Sequence, residues 1–459
     1  MKLTPSSDSN IAVELWLPAH NWNHKFLGIG NGGFAGTIDY ERLATEVQQG
    51  YAAAATDTGH TGTFIDAEWA LGHPEKVADF GYRAIHEMTV AGKAITRAYY
   101  AAPPAYAYFE ACSDGGREAL MEAQRFPTDY NGILAGAPAN NWTRLLTNGT
   151  RLNQALLLQP GAYFSSAKLP AIQSAVLAAC GAQSGVNDGF VNNPPACHFD
   201  PSVLLCKGDE TNACLTQPQI TALNTIYSSL RSASGSALFP GFSPGGEQGG
   251  NGWGPWILGD APRQSLDYAF GTRYFADMVL NDPQWKLESF NVDQALADAI
   301  RVTGKSVDST DPDIRPFIRH GGKLILYHGW SDAAIPPTST IDYYQSVRSA
   351  IGAKLEDSAV RLFMAPGMQH CGGGPGPNSF GQDGDVSSSD DAHNNIHLAL
   401  EAWVEKGLAP QTIIATRSPD PTHKTMTSRP LCPWPQIATY KGTGDPNDAA
   451  SFACTNPTH

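Results

Sequence analysis

Ala111-Cys112-Ser113-Asp114-Gly115-Gly116-Arg117-Glu118 lies between a short apolar run, Tyr106 to Phe109, and a predicted helix from Arg117 to Arg125. A serine between a strand and a helix matches a nucleophile elbow, in which a sharp turn lifts the hydroxyl above the end of a sheet. Gly115 and Gly116 let such a helix pack close. The Gly-x-Ser-x-Gly form is imperfect, because Ala111 fills its first position, and an ordinary glycine-rich helix start competes with it. A second pair of residues favours the elbow. Cys112 precedes Ser113, and Cys371 follows His370 in Gly367-Met368-Gln369-His370-Cys371. A disulfide between them would hold its Cα atoms roughly 4.4–6.8 Å apart. A hydroxyl and an imidazole would then meet across more than half the chain, which predicts a hydrolytic site.

Outward from the elbow, apolar runs at Lys25 to Gly30, Tyr51 to Thr56, Ala105 to Phe109 and Gly132 to Gly136 alternate with helical patterns. This reads as an α/β fold with a mostly parallel sheet. Residues 77–100, free of proline and with Ile85, Met88, Val90 and Ile95 at helical spacing, predict the crossover helix that feeds the strand before Ser113. From about residue 140 to 310 strand patterns become rare, four cysteines cluster, and Pro244-Gly245-Gly246-Glu247-Gln248-Gly249-Gly250 appears. Strand patterns return at Lys323 to Gly329 and Val360 to Met364. Residues 1–139 and 311–459 are therefore expected to form one domain, with 140–310 inserted between two strands of its sheet. The last predicted helix runs from Asp391 to Lys406.

The 459-residue chain can bury a large core and shows no fixed-period repeat. With 44 acidic against 30 basic residues it is not drawn to nucleic acid or to anionic membranes. A small neutral or modestly polar substrate is the easier partner. No apolar run approaches the roughly 20 residues that span a bilayer, and the first residues lack the apolar core of a signal peptide. An extracellular or periplasmic location is expected from cysteine instead. Eight residues form an even set without CxxC pairs, which fits zinc poorly and an oxidising compartment well. Pairing neighbours joins Cys180 to Cys197, Cys206 to Cys214 and Cys432 to Cys454 and leaves Cys112 for Cys371, one pattern among on the order of 100. Asn-x-Thr sequons at Asn141 and Asn148 permit glycosylation on a eukaryotic secretory route.

A serine hydroxyl needs a base, and the base needs a carboxylate to fix its tautomer. The order expected after a nucleophile elbow is Ser, acid, His. Asp332 follows the strand pattern 323–327, and His370 follows the next one, 360–364. Among thirteen histidines, His370 is singled out by Cys371. His328 is expected to pack beneath the carboxylate loop, and His60 to sit in a loop near the site. The tetrahedral intermediate needs two N–H donors. Asp114 is one; Gly32 or Gly33, in Gly30-Asn31-Gly32-Gly33-Phe34-Ala35-Gly36, supplies the other. That run lacks the spacing of a phosphate-binding loop or a dinucleotide fingerprint. This chemistry requires no cofactor.

These residues resemble the tannase and feruloyl esterase family, which includes feruloyl esterases, tannases and mono(hydroxyethyl) terephthalate hydrolase. The similarity is carried by the glycine run 30–36, Tyr82-Arg83-Ala84-Ile85-His86, Cys112 to Arg117, Met121-Glu122-Ala123-Gln124-Arg125-Phe126-Pro127 and Ala135-Gly136-Ala137-Pro138-Ala139. It continues through His328-Gly329-Trp330-Ser331-Asp332 and Pro366 to Gly374. The resemblance implies an α/β-hydrolase fold with a lid at 140–310 and a Ser113–Asp332–His370 triad. It implies the disulfides Cys112–Cys371, Cys180–Cys197, Cys206–Cys214 and Cys432–Cys454, in agreement with the pairing of neighbours. It implies hydrolysis of small aromatic esters of the feruloyl type, with galloyl or mono(hydroxyethyl) terephthalate esters as alternatives and a catalytically silent binding scaffold as the non-enzymatic one. Trp253, Trp256, Phe270 and Arg273 of the lid, and Ile335 after the acid, become candidates for gripping the acyl ring.

The resemblance also implies a calcium loop. Here it reads Cys180-Gly181-Ala182-Gln183-Ser184-Gly185-Val186-Asn187-Asp188-Gly189-Phe190, with Gly181 and Ser184 where carboxylates are expected. Asp188 and the carbonyls of Val186 and Phe190 are poor provision for a cation wanting about six to eight oxygens, so weak or absent calcium is expected. The family's N-terminal segment, with its own cysteine pair, has no counterpart before Ala12 to Pro18. Either the sequence is shortened at its start, or the sheet begins late with an edge needing other cover.

Overall fold

The computed structural model describes residues 1–385, 391–421 and 424–457. Its central sheet has eight strands: β1 (Lys2–Leu3), β2 (Ile11–Trp16), β3 (Lys25–Ile29), β4 (Ala52–Thr56), β5 (Tyr106–Cys112), β6 (Gly132–Gly136), β7 (Lys323–Gly329) and β8 (Val360–Ala365). Their order is β1-β2-β4-β3-β5-β6-β7-β8, parallel from β4 to β8, with β1 and β2 antiparallel at one edge. The fold is that of an α/β hydrolase. The six parallel strands are those read from apolar runs, because a strand covered on both faces is apolar throughout.

Alternation along the strands divides the core. Phe109, Ile133 and Leu324 pack with Ile85 and Met88 of α1 (Ala84–Tyr100) and Leu120 of α2 (Asp114–Arg125). Their neighbours Tyr108, Leu134 and Ile325 point the other way, against Leu400 and Trp403. Each fully buried side chain of this kind contributes about 1.5–3 kcal/mol. Two helix predictions are modified. The stretch 77–100 is helical but interrupted by a wide turn at Asp79–Arg83. The last helix of the chain begins at Ile396 rather than Asp391, because the Asn395 side chain accepts the Leu398 N–H at 3.0 Å and caps it.

Between β6 and β7, neighbours in register from Gly132↔Lys323 to Gly136↔Tyr327, the chain leaves the sheet for residues 137–322. It builds helices including α3 (Trp142–Leu157) and α4 (Leu266–Arg273) over the carboxyl ends of the strands. After β8 comes the helix just described, α5 (Ile396–Lys406). On β5, three residues before Ser113, Glu110 accepts from His397 Nδ1 at 2.7 Å and pairs with Arg42 Nη2 at 3.2 Å. Burial opposes charge on both groups. The two cations nevertheless hold Glu110 down to about 2, and Glu110 with Glu401 pushes His397 up to about 10. The end of β5 is thereby tied to α5 and to the helix Tyr40–Gln48.

Candidate active site

Ser113 follows β5 directly and has φ 66° and ψ −124°, a left-handed-side conformation that costs a non-glycine residue about 1–3 kcal/mol. Backbone hydrogen bonds hold it there: its N–H donates to Gly136 O at 3.0 Å, and its carbonyl accepts from Ala139 N–H at 3.1 Å and Arg117 N–H at 3.2 Å. A Cβ on Gly116 would lie 2.3 Å from Gly136 O, so α2 meets β6 this closely only without a side chain.

Asp332 follows β7 after three residues. Its Oδ1 accepts the N–H groups of Ala334 and Ile335 at 2.8 and 2.9 Å; its Oδ2 lies 2.8 Å from His370 Nδ1 and 3.1 Å from His328 Nε2. Burial disfavours the carboxylate, but the two imidazoles outweigh it and hold Asp332 below the usual carboxylate range. His370 therefore gives its Nδ1–H to Asp332 and turns the Nε2 lone pair to Ser113 Oγ, 2.9 Å away. His328 is fully buried, bonded to Thr340 Oγ1, and lies beneath the carboxylate loop as expected.

All four expected disulfides are formed. Cys112 and Cys371 meet with their Cα atoms 5.9 Å apart and so bring Ser113 and His370 together. Cys180 pairs with Cys197 and Cys206 with Cys214 in the inserted segment, where they close separations of 17 and 8 residues. Cys432 pairs with Cys454, which joins the end of the strand Thr427–Leu431 to the strand Phe452–Thr455. No cysteine is left free.

In the glycine run, Phe34 N–H donates to Phe64 O and Ala35 N–H to Gly32 O, whereas the Gly33 N–H takes no protein acceptor among the described residues. Gly33 lies in the same pocket as Ser113, while Gly32 lies outside it. Gly33 has φ 59°, and a Cβ there would strike Phe64 O. Asp114 begins α2, where the first N–H groups lack helical partners. Its carboxylate is buried against Arg117 Nε at 2.6 Å. Two residues hold this loop: Glu118, which escapes sequence reading, and His60, the loop residue expected near the site. Glu118 Oε2 accepts the Asn31 N–H at 2.9 Å, and burial, then Asp114, pushes Glu118 up to about 8. His60, bonded to Phe34 O at 2.7 Å and stacked on Trp69, is lowered by burial to about 4 and stays neutral.

Above Ser113 opens a pocket of about 540 Å³, its mouth included. Trp256, Phe270 and Ile335, candidates for the acyl ring, line it, and Trp142, Leu145, Leu146 and Phe242 join them. Trp256 and the His370 ring meet edge to face with centroids 5.1 Å apart, and Trp256 stacks with Phe270 at 6.1 Å. Its Nε1 donates to Asn251 Oδ1, and Asn251 Nδ2 donates to His370 O at 3.0 Å. Asn251 is not legible in the sequence, because it closes a glycine-rich run that reads only as loop.

Three predicted positions are corrected. Trp253 does not reach the pocket: it is fully buried among Leu223, Ile257 and Tyr227 in the core of the inserted segment. Arg273 faces out and pairs with Glu68 Oε1 at 2.8 Å and Asp277 at 3.5 Å. Asn148 is buried in the pocket wall, where no glycan can be attached.

The residues of the loop expected to hold calcium, 180–190, do not fit a calcium ion. Asp188 Oδ1 pairs with Arg429 Nη2 at 2.5 Å, and Oδ2 accepts from Ser184 Oγ at 2.7 Å and Asn192 Nδ2 at 3.0 Å. The Val186 carbonyl accepts from Ser184 Oγ at 3.3 Å. One carboxylate is present and a guanidinium already neutralises it; Phe190 contributes a buried ring to the same loop.

The arrangement is a buried acid, an oriented imidazole and a hydroxyl in line, beside N–H groups that can face an oxyanion. Comparison with known proteins agrees with it. The family model for tannase and feruloyl esterase matches residues 2–455. An uncharacterized esterase of Xanthomonas campestris pv. campestris is 39% identical over 98% of this chain and 83% of its own length. A probable feruloyl esterase B-2 of Aspergillus terreus is 32% identical over 99% and 85%. Among solved structures, feruloyl esterase B from Aspergillus oryzae superposes with a TM-score of 0.91 at 29% identity, over 99% of this chain and 90% of that one. Tannin acyl hydrolase from Aspergillus niger gives 0.80 at 26%, over 99% and 84%. The chain belongs to the tannase and feruloyl esterase family.

Proposed function

We propose that this protein is a serine carboxylesterase that hydrolyses small aromatic esters of the hydroxycinnamoyl type through an acyl-enzyme. The observation that carries this reading is the line from Ser113 Oγ to His370 Nε2 at 2.9 Å and from His370 Nδ1 to Asp332 at 2.8 Å, at the floor of an aromatic-lined pocket. His370 takes the Ser113 proton as Oγ attacks the ester carbonyl carbon. The N–H groups of Asp114 and Gly33 receive the oxyanion, each worth about 2.7–4 kcal/mol to the transition state. Collapse expels the alcohol with the proton held by His370. Water, deprotonated by the same imidazole, then releases the acid.

Residues 140–310 act as the lid, and Trp256, Phe270 and Ile335 hold the planar acyl group. An acyl ring bearing a free carboxylate, as in a terephthalate monoester, suits the pocket less well. No Lys or Arg lines it among the described residues, Arg273 being turned outward. Four disulfides favour work outside the reducing cytoplasm.

A fluorophosphonate tests the reading. One equivalent is expected to attach to Ser113, located by peptide mass spectrometry, with loss of p-nitrophenyl ester turnover; intact protein with full label elsewhere or none would refute it and favour a silent binding scaffold.

Calcium has no part in this scheme. Excess EDTA is expected to leave both turnover and unfolding temperature unchanged. Arg429→Ala, which strands the buried Asp188 carboxylate, is expected to cost about 3–5 kcal/mol of stability. A fall in unfolding temperature with chelator would show that a metal is needed after all.

A further inference from the structure

The pocket above Ser113 contains a carboxyl group that nothing in the protein uses. Asp267 is the second residue of α4, whose start is capped by the Ser265 hydroxyl accepting Tyr268 N–H at 3.2 Å. Phe270 and Gly271, three and four residues on, share its side of the helix, and all three line the cavity. Beside it α3 presents Asn148 and Gly149. A Cβ on Gly149 would lie 3.7 Å from Asp267 Cγ, so the carboxyl rests against the backbone of α3.

Asp267 Oδ2 is shut off from solvent and has no hydrogen-bond partner among the described residues. The polar neighbours are engaged elsewhere: Thr150 Oγ1 donates to Leu146 O, and Ser265 Oγ reaches Asn153. Burial first, and then the charge of Asp332, pushes the Asp267 carboxyl well above its ordinary range. A neutral carboxylic acid in an apolar pocket can both donate and accept a hydrogen bond. A buried polar group left unpaired is costly, so the enclosed Oδ2 favours the protonated carboxyl, whose other oxygen is left for a ligand in the cavity. Asn148, whose Oδ1 is held by Arg151 Nη2 at 2.9 Å and Nε at 3.2 Å, keeps its NH₂ group as a second donor in the same wall.

We propose that Asp267 is a specificity residue that hydrogen-bonds a ring hydroxyl of a phenolic acyl group whose ester carbonyl lies at Ser113. The inference rests on the ester hydrolase reading and adds to it the group that selects phenols over plain aromatic acids. A site built to bond a substrate hydroxyl rejects the analogue lacking it, because its own polar group is then left unpaired.

The test compares kcat/KM for the methyl esters of cinnamic, 3-hydroxycinnamic and 4-hydroxycinnamic acids in the wild type, Asp267→Asn and Asp267→Leu. The wild type is expected to favour at least one hydroxylated ester by about 10- to 100-fold. Asp267→Leu should bring that ratio near one by losing the hydroxylated ester, while turnover of the plain cinnamate is kept or raised. Asp267→Asn, which still donates and accepts, should retain most of the preference. A wild-type ratio near one, or an equal loss on all three esters in Asp267→Leu, overturns the proposal. Should Asp267→Leu fail to fold, the wild-type ratio and the inhibition constants of cinnamic against 4-hydroxycinnamic acid decide in the same sense. Turnover of the unsubstituted ester separates the two readings. If it persists without hydroxyl preference, only the role of Asp267 fails; if no ester is turned over and Ser113 resists the fluorophosphonate, the hydrolase reading falls and this one with it.

Discussion

Ser113→Ala is expected to lower kcat for an aromatic ester by about 10⁶-fold, with the residue of activity over water coming from the oxyanion donors and the pocket. The variant should fold as the wild type does, since among the described residues the hydroxyl bonds His370 alone. Ser113→Gly separates chemistry from backbone strain. It should be as inactive as the alanine variant. It should also be more stable than the alanine variant by up to about 1 kcal/mol, because φ 66° with ψ −124° is easy only for glycine, while glycine gives back part of that gain by loosening the unfolded chain. Steady-state kinetics and denaturant unfolding of the three proteins read both effects. Turnover of Ser113→Ala within about tenfold of the wild type would remove Ser113 from the mechanism.

The same turn explains what could be read from the chain and what could not. Parallel strands buried on both faces are continuous apolar runs, so β3 to β8 stand out, and Ser113, Asp332 and His370 all lie just beyond such runs. Spacing along the sequence says little about the inserted segment. Trp253 and Trp256 are three residues apart in one wide turn, yet one ring fills the core with Tyr227 and the other sits on His370. Only the packing of α3 and α4 decides between them. Arg273 looks like a pocket cation until Glu68, distant in sequence, draws it out. Asp267 reads as an ordinary acidic residue in the first turn of a helix, favourable to the helix dipole; that its carboxyl lines a cavity with one oxygen shut off from solvent is a tertiary fact. Glu118 is likewise a plausible surface position of a helix, and becomes a support of the glycine loop only because α2 runs under Asn31.

Breaking Cys112–Cys371 is expected to disconnect Ser113 from its base before it unfolds the protein. His370 lies beyond β8, which is three strand spacings, roughly 14 Å, from β5. Its loop must therefore cross back over β6 and β7 to reach the elbow. Cys371, with φ 62°, anchors that return. Further polar anchors come from the inserted segment, with Asn251 on His370 O and Gln369 Nε2 on Gln248 O at 3.0 Å, and from the loop after β7, where Ser331 N–H donates to Met368 O at 2.9 Å. A displacement of about 1 Å at a reacting group can cost on the order of 10²-fold. A Cys112→Ser/Cys371→Ser variant should accordingly lose at least about 10²-fold in kcat. Its stability should fall by about 2–5 kcal/mol, with the eight-stranded sheet and the two cores against it still unfolding cooperatively. A Cys206→Ser/Cys214→Ser variant is the control, because that bridge closes a separation of 8 residues in the inserted segment and touches neither Ser113 nor His370. Equal kcat in the two variants would make the bridge between Cys112 and Cys371 a staple of the fold alone. A selective loss in the first, at unchanged circular dichroism, would show that the covalent link between the neighbours of nucleophile and base maintains the 2.9 Å contact on which turnover depends.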